Sequence, residues 1–494
     1  MGLTWPASHR QARQLSRPGP SRQWALVLTS AAFFMVALDA LVVITALPAI
    51  HRDLGGSVST LEWTVNAYTL SFAAGIITAA ALGDRLGRRR VYVAGLLIFT
   101  VASAACALAP TAGTLIAARA VQGVGAAIVT PLSLTILTAA WPAERRGTIV
   151  GIWGGIAGLA VAAGPLVGGA VVQGLSWHWI FWVNVPIGLA AAVLSVIRLP
   201  ASRGPATRFD IPGVVLVTGG AGGVLWGLVR AGEVGWASTE VVVAFALGAA
   251  ALAGFAAWEA RAPEPMLPGQ LMRIRAFTAA NATGFLQSAA LFSAAFLAAQ
   301  YFQLALGFSP LGAGLRFLPW TATPIVVAPL AGRLADRTGP RPLMVLGLVL
   351  QAAGFAWIAL IATATVSYTT MILPFVIAGV GISMALPATP TAALSAVPPA
   401  DMGKASGVNN TLQRFGGVFG VAVVTAVFAA TGHLGTPEQV AAGFRPGLAV
   451  AAGLSVLGAA AALAVGRRRS ARAQPPATTQ RAEPQPAEPL PLTG

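Results

Sequence analysis

The sequence predicts an all-α protein that crosses a membrane fourteen times, as two six-helix bundles with two further helices inserted between them. Of its 494 residues, 56% are hydrophobic and only 9% are charged, whereas soluble globular domains carry about 25% charged residues. Apolar runs of about 20 residues, the length of a transmembrane helix, recur along the chain. A charged loop motif occurs twice, at residues 80–91 and 332–343.

The predicted spans are joined by short polar, Gly-rich or Pro-rich connections. They lie at residues 24–49, 62–82, 91–110, 113–139, 148–172, 178–198, 211–231, 238–259, 276–303, 311–333, 341–363, 368–393, 407–430 and 444–466. Eight of them separate the two copies of the loop motif, whereas two plain six-helix repeats would place six there. The two extra spans therefore lie between the bundles.

This count predicts five regions along the chain. They are an N-terminal tail (1–23), a six-helix bundle (24–198), a linker with two inserted helices (199–260), a second six-helix bundle (261–466) and a C-terminal tail (467–494). The prolines and polar residues of the last region predict a disordered tail.

The basic residues predict the orientation of the chain. Most of its 31 Lys and Arg residues fall on the N-terminal side of the membrane, which by the positive-inside rule is the cytoplasmic side. Both termini are therefore expected in the cytoplasm, with anionic lipid beside the cluster 467–469. This distribution explains the net charge of +16 without nucleic acid, which would need an accessible basic face. Lys404 is the only lysine of the sequence, and all the other basic residues counted here are arginines. This preference for arginine indicates a GC-rich bacterial genome and therefore a bacterial plasma membrane.

Residue types that build metal or catalytic sites are sparse. The single cysteine, Cys106, cannot form a disulfide within the chain, and the four histidines are not spaced as metal ligands. A membrane-embedded enzyme would need clustered nucleophile and base residues near one membrane face. We expect neither an enzyme nor a metal site, and no cofactor.

The two loops share an order of acid, arginine and glycine between apolar spans. The first copy contains Leu82, Gly83, Asp84, Arg85, Gly87, Arg88 and Arg89, and the second contains Asp336, Arg337 and Gly339. They resemble the signature loop in each half of the Major Facilitator Superfamily, which implies a gating loop that holds the cytoplasmic side closed in one conformation. Two departures weaken the match, because Ala80 replaces the usual first glycine and Pro340 replaces a basic residue.

Asp39 is the one carboxylate that the sequence places at membrane depth, away from the span ends. An ionisable group there is costly and functional by default. Residues 38–48 resemble the first-helix signature of the fourteen-helix drug:proton antiporter branch, with Leu41 and Ile44 in place of Thr and Asn. The resemblance implies that Asp39 carries the proton; a purely structural ion pair is the alternative.

Arg119 is the expected partner of Asp39. Residues 115–125 resemble the fourth-helix motif of the same branch, and Arg119 and Gln122 share one helix face. The first helix runs outward and the fourth inward, so at 1.5 Å per residue both groups come about 10–15 Å from the outer surface. An ion pair that opens and closes with the transport cycle is expected.

The fifth span resembles the antiporter motif of the branch. It carries Gly164, Pro165, Gly168 and Gly169, with Ala160 in place of the first glycine of the motif. Small residues at helical spacing let another helix approach closely, and a proline favours a kink. The resemblance favours antiport over symport.

Amide and phenol side chains among apolar walls are the candidates for a substrate cavity. They are Asn66, Tyr68, Gln122, Asn281, Gln287, Gln300, Gln303, Asn409, Asn410 and Gln413. Some of these amides would only bridge helices. Without a second intramembrane acid to balance a dication, the cavity suits amphipathic compounds that are neutral or carry one positive charge.

Together the resemblances imply a proton-coupled exporter of amphipathic small molecules, drugs or antibiotics. It would be driven by the proton motive force and act as a monomer. A dedicated exporter of one endogenous metabolite, or a symporter of the same fold, is the alternative. A non-transporting sensor is disfavoured by Asp39, Arg119 and the two loops.

Overall fold

The computed structural model describes residues 20–201, 210–262, 269–398 and 402–466, and they are almost entirely helical. The first bundle contains α1 (Pro20–Leu54), α2 (Val58–Leu86), α3 (Arg88–Ala107), α4 (Ala112–Ala140), α5 (Ala143–Gly174), α6 (Trp179–Trp182) and α7 (Asn184–Arg198). The inserted pair is α8 (Ile211–Val234) and α9 (Thr239–Glu259). The second bundle contains α10 (Gly269–Met272), α11 (Arg275–Gln300) with a π-helical continuation (Tyr301–Ala305), α12 (Pro310–Arg316), α13 (Leu318–Thr321), α14 (Thr323–Thr338), α15 (Pro340–Ile361), α16 (Tyr368–Ser395), α17 (Met402–Thr431) and α18 (Pro437–Leu463).

The protein is therefore an all-helical, multi-pass membrane protein. Within the described residues, eleven helical stretches are long and apolar enough to cross a membrane. The predicted span at 311–333 is divided into α12, α13 and α14, because Pro319 and Pro324 begin new helices near their first turns. The final helix begins at Pro437, about two turns before the predicted start. The predicted disordered tail at 467–494 lies outside the described residues.

The two copies of the loop motif adopt the same backbone turn. Gly87 separates α2 from α3 with φ of 105°, and Gly339 separates α14 from α15 with φ of 82°. Side chains with a Cβ rarely adopt such angles, so glycine is needed at both positions. The two loops lie at one end of the molecule, referred to below as the Gly87 end.

Small residues of α5 allow close contact with two neighbouring helices. A Cβ at Gly164 would come within 2.7 Å of Leu41, and a Cβ at Gly168 within 2.9 Å of the Val42 carbonyl oxygen, both on α1. A Cβ at Gly169 would overlap the carbonyl oxygen of Pro310 on α12. The antiporter-motif helix therefore closes the seam between the bundles, and it does so at the end opposite Gly87.

The largest apolar core is shared by the two bundles at only one end of the molecule. At the end opposite Gly87, a single core combines residues of both bundles, such as Ile50 and Phe302. At the Gly87 end, one core holds first-bundle residues such as Phe72, and a separate one holds second-bundle residues such as Met344. A cleft between the bundles therefore opens toward the Gly87 end.

The inserted helices lie against the seam. α8 packs on α9 and also contacts α2 of the first bundle and α17 of the second. An apolar cavity of about 370 Å³ lies between these helices, lined by residues that include Leu70, Val217, Phe255 and Phe415. The insertion thus touches α2 and α17, which also pack on each other across the seam.

The close contact at Gly169 makes a testable prediction about the seam. Gly169→Val should force α5 away from α12 and raise the reactivity of a cysteine at the buried position Thr45 several-fold toward a water-soluble maleimide, in a Cys106→Ala background. Gly174→Val is the matched control on the same helix, because nothing lies within 4 Å of its added Cβ. Equal labelling of the two variants would contradict a seam held closed by Gly169.

Candidate functional site

Asp39 lies in α1, is 3% exposed, and accepts hydrogen bonds from three side chains. Arg119 Nη1 lies 2.5 Å from its Oδ2 atom. Gln122 Nε2 and Asn184 Nδ2 donate to its Oδ1 atom at 3.0 and 2.8 Å. One cation and two amides therefore surround the Asp39 carboxyl group.

Arg119 is fully buried and is bound by groups from three helices. Besides Asp39, it donates from Nη1 to Gln122 Oε1 at 2.7 Å and from Nε to the Thr64 carbonyl oxygen at 3.1 Å. Its Nη2 atom has no hydrogen-bond partner in the described part of the chain. The predicted placement of Asp39 beside Arg119 is thus present in the structure, whereas their role in proton coupling stays a prediction.

A second layer of polar groups positions the ligands of Asp39. Ser103 Oγ on α3 accepts from Gln122 at 3.2 Å and from Asn184 at 3.1 Å, and donates to the Phe181 carbonyl oxygen at 3.0 Å. The sequence prediction did not include Asn184 or Ser103. Asn184 could have been found as an amide within an apolar segment, but a lone serine such as Ser103 gives no comparable signal.

Aromatic rings of α2 continue the site toward the second bundle. The Arg119 guanidinium lies 4.1 Å from the centre of the Tyr68 ring, and Tyr68 meets Phe72 edge to face at 5.8 Å. On the other side of the seam, Arg414 of α17 lies 4.3 Å from the centre of the Phe72 ring. The rings of Tyr68 and Phe72 therefore lie between two guanidinium groups that come from different bundles.

Glu62 is a second buried carboxylate of the first bundle, which the sequence prediction did not include among the site residues. Because α2 begins at Val58 and not at residue 62, Glu62 lies one turn inside the helix and is fully buried. Its Oε1 atom accepts a hydrogen bond of 2.9 Å from Asn66. Asn66, a predicted cavity residue, is also fully buried and bonded to this acid.

The other predicted cavity residues fall into distinct environments. Tyr68 and Gln122 belong to the Asp39 cluster, and Gln287 accepts from Thr389 at 2.8 Å. Contacts between helices join Gln303 to the Thr45 carbonyl oxygen at 2.8 Å and Asn409 to Asn281 at 3.0 Å. Within α17, Gln413 donates to Asn409 at 2.7 Å. Asn410 is exposed and donates to the Ser406 carbonyl oxygen.

Gln300 is 2% exposed, and neither atom of its amide has a hydrogen-bond partner among the described residues. It lies on α11 within the core shared by the two bundles, close along the chain to Gln303. An unsatisfied buried amide is costly. Opening the bundles at this end would give Gln300 access to water or to a ligand.

The loop residues at the Gly87 end make local contacts. Arg88 Nε lies 2.7 Å from Asp84 Oδ1 across the turn, and Arg89 Nη1 donates to the Leu199 carbonyl oxygen at 2.9 Å. The Arg89 guanidinium lies at the C-terminus of α7, where the helix dipole favours a positive charge. Leu82 is half-buried, a Cβ at Gly83 would overlap Leu132, and Arg85 and Arg337 are exposed. The side chain of Asp336 lies outside the part of the protein that the structure describes.

Two helical bundles around a buried intramembrane ion pair, with a cleft open at one end, define a membrane carrier. The chain belongs to the Major Facilitator Superfamily, whose family profile matches residues 29–269 and 277–493. Members of this superfamily are carriers of small molecules, not enzymes.

Relatives named for antibiotic resistance and export share about a third of the sequence. The tetracenomycin C resistance and export protein of Streptomyces glaucescens is 34% identical, over 83% of this chain and 76% of its own length. The cephamycin export protein of Amycolatopsis lactamdurans is 37% identical, over 84% of this chain and 87% of its own length.

Solved structures show the same fold at low identity. A bacterial homologue of the human lysosomal transporter Spinster, in an inward-facing and unoccupied conformation, superposes with a TM-score of 0.64 at 17% identity. The superposition covers 90% of this chain and 97% of that structure.

The stacking of Tyr68 under Arg119 yields a prediction about stability. Tyr68→Leu should destabilise the purified protein by about 2 kcal/mol, because a desolvated cation–π contact is lost. Tyr68→Phe is the matched control, since it keeps the ring and removes only the 3.2 Å hydrogen bond from Tyr68 to the Val36 carbonyl oxygen. Thermal denaturation in detergent measures both, and equal melting temperatures would show that the ring contact contributes nothing.

Proposed function

We propose that this protein is a proton-coupled exporter, a drug:proton antiporter of amphipathic small molecules such as antibiotics. The observation that carries the proposal is Asp39, a buried carboxylate held by one cation and two amides inside a carrier fold. Protonation would neutralise this carboxylate and remove its attraction to Arg119. The relatives named for antibiotic export support drugs as the class of substrate. The proton motive force drives the cycle, with no further cofactor.

Asp39 also lies where a proton site could sense the conformation. Its neighbour Ala40 belongs to the core of the first bundle alone, whereas Leu41 belongs to the core shared with the second bundle. The carboxylate therefore lies at the boundary between the closed and the open part of the seam. A movement that opens one end of the seam and closes the other would expose the Asp39 carboxylate to water.

The proposed topology has fourteen spans and both termini in the cytoplasm, in a bacterial plasma membrane. A helix lies at each of the fourteen predicted positions, and the basic loops lie at the Gly87 end. That end is then cytoplasmic, and the cleft opens inward. Substrate would enter from the cytoplasm or the inner leaflet and leave outward after the bundles rock.

The motif of α5 and the two loop motifs take complementary parts in this cycle. The small residues of α5, with Gly164, Pro165, Gly168 and Gly169, hold the outer side closed in the conformation described here. The loops at Gly87 and Gly339 would hold the inner side closed in the opposite conformation. Proton entry from outside then discharges the Asp39–Arg119 pair as substrate leaves.

A dedicated exporter of one compound is the second candidate. It is favoured by the relatives whose names refer to a single antibiotic, whereas other relatives named for multidrug resistance or transport favour the first candidate. Expression in an efflux-deficient host against a panel of dyes and antibiotics separates the two candidates. Protection against several unrelated compounds would support a multidrug exporter, and protection against one would support a dedicated exporter.

Proton coupling is tested by Asp39→Asn in inverted membrane vesicles. The variant should insert normally but lose export driven by a pH gradient, by at least about tenfold, because the amide cannot exchange a proton. Dye uptake into the vesicles measures export, and immunoblotting measures insertion.

Asp53→Asn is the matched control, because Asp53 is an exposed carboxylate on the same helix. Its Oδ2 atom accepts a 2.7 Å hydrogen bond from Trp177 that an asparagine can still accept. Export by this control should remain at the wild-type level. Gradient-driven export by Asp39→Asn at the wild-type rate would overturn the proposed role of Asp39.

A further inference from the structure

Arg414 is a second arginine at membrane depth, at the seam between the bundles. It lies near the middle of α17, is half-buried, and reaches across to Phe72 of α2 with its guanidinium 4.3 Å from the ring centre. The Arg414 guanidinium of the second bundle therefore contacts a side chain of the first bundle.

Arg414 differs from Arg119 and Arg230 in lacking a carboxylate partner among the described residues. Arg119 pairs with Asp39, and Arg230 pairs with Glu240 at 3.0 Å. Among the described residues, no acidic group lies within ion-pair distance of Arg414. A guanidinium inside a bilayer is costly without a counter-charge, and one aromatic face offsets only about 1–2 kcal/mol of that cost.

The side chain points into the cleft and away from the inserted helices. Thr411 and Phe415 of α17 line the apolar cavity against α8 and α9, together with Leu70 of α2. Arg414 instead contacts Phe72, which belongs to the core of the first bundle. Asn410 precedes Arg414 by one turn toward the Gly87 end and is exposed. Asn410 and Arg414 therefore lie on one face of α17, and this face is exposed at Asn410.

The charges of the described site favour an anion at this position. Asp39 pairs with Arg119, and the buried Glu62 accepts a hydrogen bond from Asn66, so neither carboxylate is among the described ion pairs of the Arg414 guanidinium. The rings of Phe72 and Tyr68 beside it provide an apolar surface next to that charge. An amphipathic molecule with one oxyanion and an apolar body matches both features.

We propose that Arg414 binds the anionic group, a carboxylate or a sulfonate, of an amphipathic substrate in the inward-open cleft. This assignment deepens the proposed export function and rests on it. It also changes the expectation from the sequence of neutral or monocationic compounds, which weighed only the intramembrane acids. The guanidinium presents two parallel N–H groups to the oxyanion, which the point charge of a lysine cannot do.

The test compares two probes that differ only in charge, dansylglycine with its carboxylate and dansylglycinamide with its amide. Binding to the purified full-length protein is measured by dansyl fluorescence in detergent, where no proton gradient operates. The wild-type protein should bind the carboxylate about tenfold more tightly than the amide, as a charge-assisted hydrogen bond would give. No preference for the carboxylate in the wild-type protein would overturn the proposal.

Variants of Arg414 test whether this residue causes the preference for the carboxylate probe. Arg414→Gln should bind both probes equally, and Arg414→Lys should keep a reduced preference. Arg316→Gln is the matched control, because Arg316 also stacks on a ring, 3.5 Å from the centre of Phe308, but lies near the opposite end of the second bundle. It should retain the full preference. A tenfold preference that survives in Arg414→Gln would overturn the proposal.

The two proposals fail in different ways. If Asp39→Asn exports as the wild type does while Arg414→Gln loses the carboxylate preference, proton coupling is wrong and the anion site stands. If Asp39→Asn is inactive while Arg414→Gln binds like the wild type, the anion site is wrong and proton coupling stands. If Arg414→Gln does not fold, the wild-type preference together with the reduced preference of Arg414→Lys decides the question.

Discussion

The burial of the Asp39–Arg119 ion pair is the constraint on which the first bundle depends. Two charges taken out of water are costly unless further hydrogen bonds satisfy them. Here the donors and acceptors come from α2, α4 and α7, with Ser103 of α3 behind them. Each helix must hold its polar group at hydrogen-bond distance from the pair. The ion pair therefore fixes the relative positions of five helices, and its loss would release them together.

The seam between the bundles divides into two parts with different physical character. At one end, glycines bring backbones of α5, α1 and α12 into contact, and both bundles share one apolar core. At the other end, each bundle has a core of its own, and Arg414 and Asn410 occupy the space between them. Backbone contact of this kind is either made or broken, because close-packed surfaces do not deform gradually. The division suits a carrier with two alternative conformations.

Much of this arrangement follows from local sequence, and the rest depends on neighbours that are distant in the chain. Span positions follow from apolar length, and the meeting of Asp39 with Arg119 follows from depth and family motifs. The burial of Glu62 could not be predicted, because it depends on where α2 begins, and helix starts are uncertain by a few residues. Ser103 and Arg414 acquire their surroundings only from the packing of α3 on α7 and of α17 on α2. The sequence around a single polar residue in an apolar helix does not show which residues of other helices it will contact.

The position of α8 links the movement of the protein to the bilayer around it. Because α8 touches one helix of each bundle, any change in the spacing of α2 and α17 changes the volume of the apolar cavity that it covers. In a membrane, hydrocarbon chains are the surrounding medium that can fill or leave such a space. The lateral pressure and chain packing of the lipid therefore enter the free-energy difference between the two conformations. A carrier whose bundles were joined only by a loop would lack this covered cavity between its bundles.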